Sequence, residues 1–403
     1  MSTEVSTAVS TGPAPDFPMR RGCPFDPPPP YRDMREQAPA FRVRLPDGAG
    51  AWVVPRYDDV RRLLVDPRIS SDRTRPGYPF LTEDSRYLSQ VRVFVGMDPP
   101  EHGPHRRMFI PGFTARRIKE LRPAIEQNVA QRLAELAAGP RPADLVTALA
   151  LPVPTLAIAQ LLGVPDAGYA RFAALTAALM TEHPERELFD ELLAFVRNLV
   201  RAKCAAPGDD MLGRIAAEQV ATGAMSVHEL VVMALLLLFA GYETTANMIA
   251  LGTLTLLQHP EQLAGLRADP ALMPGAVDEM LRYLSIAELA TCRTALADID
   301  LGEGVVIRAG EGVIPLGASA NRDPAAFERP DEFDIHRTER HHLAFGYGPH
   351  QCIGANLARL ELEIVFTALL RDFPGLRLAV PFGELRFKRD ANLFGVHELP
   401  VTW

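Results

Sequence analysis

Cysteine is scarce and unpatterned. Only four occur, at positions 23, 204, 292 and 352, and none is spaced as CxxC, which excludes a disulfide framework and a structural zinc site. Lysine is scarcer still, with Lys119, Lys203 and Lys388 the only three among 42 cationic residues. Acids outnumber bases 50 to 42, a formal charge of −8, so the basic footprint needed for non-specific nucleic-acid binding is missing. The longest apolar run is the eleven residues 230–240. That is well short of the ~18 or more of a membrane span. A basic stretch followed by an apolar one, the mark of a secretory signal, is also missing from residues 1–30. We therefore expect a cytoplasmic protein with neither nucleic acid nor membrane as partner.

What is present has the balance of a folded chain with a sizeable core: 47% apolar and 23% charged residues. Residues 1–20, rich in Ser, Thr, Pro and Ala, read as a flexible tail, and 27–30 as a stiff proline lead-in to the first helix. Residues 21–403 contain no linker, repeat or low-complexity block, so a single domain is expected. Periodicity predicts a mainly α chain with small β-sheets. A hairpin is expected over 41–45 and 51–54, turning at Asp47 and Gly48. Helices are expected over 57–65, 115–137, 144–162, 168–180, 187–203, 226–258, 261–268, 274–284 and 355–371. Short strands are expected between 290 and 314 and at 396–402. The longest helix opens with Ser226 and Glu229, a capping box, and stops before Pro260. Segments 72–97 and 317–351 have no period, and long irregular stretches of this kind are usually functional.

The most informative of these stretches ends in Phe345, Gly346, Tyr347, Gly348, Pro349, His350, Gln351, Cys352, Ile353 and Gly354. Two glycines and a proline make a tight loop, and Cys352 sits where the next helix begins. Backbone N–H groups and the dipole at a helix start favour a thiolate, and Gly354 lets a flat object approach closely. A thiolate held this way can ligate haem iron. Packing alone gives no reason for Phe, Gly, Gly, His, Cys and Gly at these spacings. A second anomaly lies inside the long helix, at Ala240, Gly241, Tyr242, Glu243 and Thr244. Residues 231–238 read as plain core. A mid-helix Gly costs about 1 kcal/mol against Ala, however, and an acid following the eleven-residue apolar run breaks the pattern again. Such joint departures mark functional sites.

The run from Phe345 to Gly354 resembles the haem-binding signature of cytochrome P-450 monooxygenases, Phe-Gly-x-Gly-x-His-x-Cys-x-Gly, with every defined position matched. The resemblance makes Cys352 the axial metal ligand, within a haem site that includes Phe345, Gly346, His350 and Gly354. Cys23, Cys204 and Cys292 match no such element. Glu279 and Arg282 lie one helical turn apart and resemble the family's ExxR pair, whose role is structural. Glu332 stands where many members carry a third partner, which leaves Arg337 as a candidate substitute. Asp98, Pro99, Pro100, Glu101 and His102, followed by Arg106, resemble the HxxxR element, with the proline pair starting a helix. His102 and Arg106, together with Arg293 and His350, match contacts to the haem propionates, where a guanidinium fork suits a carboxylate. The long-helix pattern resembles the oxygen-activating Ala-Gly-x-acid-Thr. This makes Glu243 and Thr244 the catalytic pair and Ala240 part of the haem site, with Tyr242 where many bacterial members have His.

The fold so implied is the cytochrome P-450 fold, with a long central helix over a haem held against the cysteine loop and its helix. The implied function is hydroxylation, or epoxidation, of a small organic molecule such as a macrolide, terpenoid or peptide. The cofactor is haem b, with O2 and NAD(P)H-derived electrons as co-substrates. The sequence has no Rossmann GxGxxG, flavin module or ferredoxin cluster. A separate ferredoxin and its reductase are therefore the expected partners of a monomer, with Arg107, Arg116 and Arg117 as steering cations. By resemblance the substrate pocket draws on 72–97, 165–205 and 287–291, and includes Leu237, Ala240, Leu289, Ala290, Leu393 and Phe394. Two rivals remain at this point: a haem-thiolate gas sensor or carrier without turnover, and a zinc hydrolase using Cys352 with His341, His342 or His350.

Overall fold

The computed structural model describes residues 14–82, 91–179, 186–389 and 393–403. Parts of two segments expected to wall the pocket, 83–90 and 180–185, lie outside these residues. The chain forms two compact units, one built from 1–99, 278–352 and 387–394, the other from 100–277, 353–386 and 395–403.

The first unit is organised around a five-stranded sheet. The expected hairpin is present as Phe41–Arg44 and Gly50–Val54, paired antiparallel. Gly312–Pro315 adds to it in parallel, then Arg293–Ala295 and Ile69–Ser70 antiparallel. Both faces are covered, and the period-two alternation of a strand decides which residue goes where. Trp52, Val54 and Val313 join Tyr57, Leu63 and Phe327 in one cluster. Ala51, Val53 and Ile314 join Phe17, Tyr31 and Val43 in another. The tail expected over 1–20 is thus too long: Phe17 is buried and donates its N–H to the Arg44 carbonyl, and Asp16 pairs with the Arg44 guanidinium.

The second unit is helical around Val227–Gln258, which packs on Pro152–Leu162, Arg186–Ala205 and Ala355–Asp372. The capping box is made as expected: Ser226 Oγ accepts from Glu229 N at 3.1 Å, and Glu229 Oε2 from Ser226 N at 2.7 Å. By length and composition this helix would reach across a membrane, yet half of its most apolar window is buried among its neighbours.

The helix expected over 144–162 is present but opens irregularly, as a π-helical turn over Val146–Ala150 that leads into the regular α-helix Pro152–Leu162. Asp144 accepts from the backbone N–H of Val146, Thr147 and Leu399, holding Ala143–Asp144 as a strand against Pro400–Thr402. By accepting the N–H groups two and three residues on, Asp144 caps this first turn, and the regular α-helix follows at Pro152. The helix expected to begin at the proline pair begins later, at His102.

Candidate functional site

The cysteine loop turns back on itself. Cys352 N–H donates to the Phe345 carbonyl at 2.8 Å, and Gln351 N–H to that of Gly348 at 3.0 Å. This closure needs φ of +70° at Gly346 and +73° at Gly348, values that cost side-chain-bearing residues dearly. Gly348 is doubly constrained, because a Cβ there would lie 2.6 Å from Val65 Cγ1. Cys352 ends up exposed, followed by Gly354 as N-cap of Ala355–Asp372. Cys292, by contrast, is fully buried, and burial pushes its thiol up to about 12, as expected of an inert residue.

Behind the loop, in the same unit, Glu279 and Arg282 are 3% and 1% exposed. Arg282 donates from Nε to Glu279 Oε2 at 2.7 Å and from Nη2 to Oε1 at 2.8 Å. Its other protons reach the carbonyls of Asn321, Pro330 and Glu332. The third partner is Arg337, whose Nε donates to Glu279 Oε2 at 3.0 Å. Asp334 N–H completes the carboxylate at 2.9 Å. Glu332 contributes only its backbone carbonyl, since its side chain pairs with Arg329 at the surface. A buried cation pair on one carboxylate, with both oxygens filled, is the condition under which burying charge is tolerated.

Arg293 is 7% exposed, forms no ion pair among the described residues, and donates Nη1 to the carbonyl of Cys292 at 2.7 Å. Burial pulls its guanidinium below the ordinary value. A buried cation without a carboxylate is costly, so an anionic group is the missing complement. His102, buried, and Arg106, half-buried, lie one turn apart on His102–Phe109. An exposed cysteine sulfur at a closed loop and a buried arginine with no carboxylate in contact among the described residues are what haem requires: an axial donor and a cation for a propionate. The residues fit the group.

In the second unit the helix opens where the sequence departs from plain core. Ala240 is exposed, and Gly241, Glu243 and Thr244 are half-buried, whereas 245–256 are all buried. Gly241 sits close against the neighbouring helix, as a Cβ would stand 3.0 Å from Ile158 Cδ1. Thr244 Oγ1 donates to the Ala240 carbonyl at 2.8 Å. Its oxygen keeps its lone pairs for a further donor. Tyr242 points elsewhere: it is 0% exposed, and its hydroxyl has no partner among the described residues. Burial, and then the Glu243 charge, push that phenol up, so it stays neutral. Of the pocket residues, Leu237 and Phe394 are buried, Leu289 and Leu393 half-buried, and Ala290 exposed.

The zinc reading finds no support in the geometry. No group of three or more His, Cys, Asp or Glu side chains gathers among the described residues. His341 stacks on Phe327 at 4.8 Å, and His342 Nε2 lies 3.3 Å from Asp278.

The site describes a haem-thiolate oxygenase, and comparison with known proteins agrees. The family model "Cytochrome P450" matches residues 187–376. The chain is 47% identical to the vitamin D3 dihydroxylase of Streptomyces griseolus, with 100% of each covered. It is also 47% identical to the pentalenic acid synthase of Streptomyces avermitilis, again with 100% of each covered. The crystal structure of the mycinamicin VIII C21 methyl hydroxylase of Micromonospora griseorubida, bound to mycinamicin VIII, superposes with a TM-score of 0.89 at 44% identity. That match covers 96% of this chain and 100% of that one. The chain belongs to the cytochrome P450 family and is a monooxygenase that uses haem, O2 and electrons from a reductant.

Proposed function

We propose that this monooxygenase hydroxylates, or epoxidises, a bulky secondary metabolite of macrolide or terpenoid type, with haem b as cofactor and a separate ferredoxin as electron donor. The relatives' substrates include vitamin D3, pentalenic acid chemistry and a mycinamicin, which supports a large, mostly apolar substrate class. One observation carries the catalytic reading: the exposed Ala240, with Glu243 and Thr244 half-buried beside it, immediately before a fully buried stretch of the same helix, 245–256.

When bound, haem supplies the reduction of dioxygen and the transfer of one oxygen atom to the substrate. Cys352 would ligate it, and His102, Arg106, Arg293 and His350 would hold its propionates. Leu237, Leu289, Ala290, Leu393 and Phe394 would enclose the substrate and exclude water. Glu243 takes a proton from solvent and passes it towards Thr244. Because the Thr244 hydroxyl proton is held by the Ala240 carbonyl, its oxygen acts as acceptor and can fix a water beside Glu243. The net reaction consumes two electrons and two protons per dioxygen and releases one water. A sensor or carrier has no use for such a relay, and relatives named as hydroxylases speak against that reading.

Positioned proton transfer typically contributes about 10²–10⁴-fold. Thr244→Ala should therefore leave haem content and substrate affinity nearly unchanged while product per NAD(P)H falls and peroxide rises. The check is that ratio in wild type and variant with the same redox partners, and an unchanged ratio would reduce Thr244 to helix packing. Turnover with NAD(P)H alone should be negligible and should return on adding ferredoxin and reductase. Arg107 and Arg116 are exposed and suited to steering an acidic partner, so the coupling should weaken with salt. Salt-independent coupling would count against that route.

A further inference from the structure

Arg21 lies far from every motif in the sequence, yet it is 6% exposed and tied to three places in its unit. Nη1 donates to the Leu284 carbonyl at 2.9 Å. Nη2 donates to the Ser285 carbonyl at 3.1 Å and to Glu288 Oε2 at 3.2 Å. The guanidinium also stands 4.8 Å from the centroid of the Phe394 ring. The Glu288 side chain is itself only 10% exposed, so this is a buried ion pair.

The backbone it grips is strained. Ser285 holds φ of +42°, in the left-handed region that non-glycine residues avoid. Its Oγ donates to the Arg282 carbonyl and accepts from Asn321 Nδ2, both at 2.8 Å. Next along the chain, the Ile286 carbonyl accepts the N–H of Phe394 at 3.1 Å. The turn leaving the Met273–Leu284 helix is thereby fixed at consecutive carbonyls, two of them by Arg21. Tyr31, 1% exposed, closes the same cluster: its phenol is raised by burial and by Glu288, and lowered by Arg21. Directly beyond Glu288 come Leu289, half-buried, and Ala290, exposed.

We infer that Arg21 is a positioning residue for substrate: through Glu288, the Ser285 turn and Phe394 it sets where Leu289, Ala290 and Phe394 stand, and so the shape of the pocket wall. This rests on the reading that those three residues line the pocket. Removing the guanidinium leaves the Glu288 carboxylate buried and unpaired, so that it must turn to solvent or take up a proton. Either response displaces Leu289, its immediate neighbour. Phe394 loses the cation against its ring, and the strained turn loses two of its donors.

The test compares two azole probes on the ferric holoenzyme by optical difference titration: 4-phenylimidazole, whose phenyl group extends from the azole into the pocket, and imidazole, which lacks that group. Arg21→Met should change the 4-phenylimidazole dissociation constant about tenfold, the scale of a misfitted apolar contact. Imidazole should stay within about twofold, as for a substitution remote from the haem. Haem content and the ferrous–CO spectrum should be unaltered. Glu288→Gln, nearly isosteric, should reproduce the effect and carries the test if Arg21→Met folds poorly. Arg21→Lys, which keeps the charge without the fork, should restore binding in part. Equal weakening of both azoles, or no change in either, would overturn the inference. Leu289→Ala and Phe394→Ala are the controls. If they leave 4-phenylimidazole unaffected, the pocket reading itself fails and the inference falls with it. If they respond while Arg21→Met and Glu288→Gln do not, the inference alone is wrong.

Discussion

Cys352→Ala is expected to abolish thiolate-ligated haem altogether, whereas alanine at Cys23, Cys204 or Cys292 should leave ligation intact. The contrast follows from where the four sulfurs sit. Cys292 is buried and Cys23 and Cys204 are part-buried, while Cys352 is exposed at the end of a loop closed by its own N–H. The loop does not depend on the sulfur, because its shape comes from Gly346, Gly348 and the backbone bonds to Phe345 and Gly348. Alanine should therefore leave the loop in place and remove only the ligand. The ferrous–CO spectrum of the purified variant is the measurement, and a surviving thiolate-type signature would refute the ligand assignment. Gly348→Ala makes a useful companion. It keeps the cysteine but forces a Cβ towards Val65 and the Leu64 carbonyl, so haem incorporation should fall with the sulfur still present.

Loss of the Glu279 carboxylate is expected to be nearly as severe. Glu279→Gln puts a neutral amide between Arg282 and Arg337, two guanidinium groups that are themselves almost fully buried. Breaking a buried pair by removing one partner typically costs about 3–5 kcal/mol, against a total stability of about 5–15 kcal/mol. Arg337→Ala should fall in the same range of about 3–5 kcal/mol, because it also strips hydrogen bonds from the carbonyls of Glu328, Arg329 and Glu332. Glu332→Ala should cost less than about 0.5 kcal/mol, as that side chain meets only a surface arginine. Urea unfolding of the holoenzymes measures all three. A Glu332→Ala effect as large as that of Arg337→Ala would mean that the third partner is assigned to the wrong residue.

That pair of residues also shows where reading the chain alone stops. Glu332 and Arg337 both fall in 317–351, a stretch with no period. Which of them turns inward depends on the path of the loop past Glu279, more than fifty positions earlier. Tyr242 is a similar case. It stands in the motif where many bacterial members have His, and only the packing around its helix shows that the hydroxyl is buried.

Signals carried within a few residues were legible from order alone. The capping box at Ser226, the hairpin turn at Asp47 and Gly48, the glycines before Cys352 and the i, i+3 pairing of Glu279 with Arg282 each depend on backbone geometry inside about one or two turns. The cysteine loop and the Ala240–Thr244 departure were therefore enough to identify the chemistry. Whatever needed two distant backbones to meet was decided by the tertiary structure. Asp144 accepts the Leu399 N–H, Arg337 reaches Glu279, and Arg21 grips the turn at Ser285 across more than 260 positions. A side chain's local window fixes its direction along a helix or strand, but the partner it meets is set only when the core has closed.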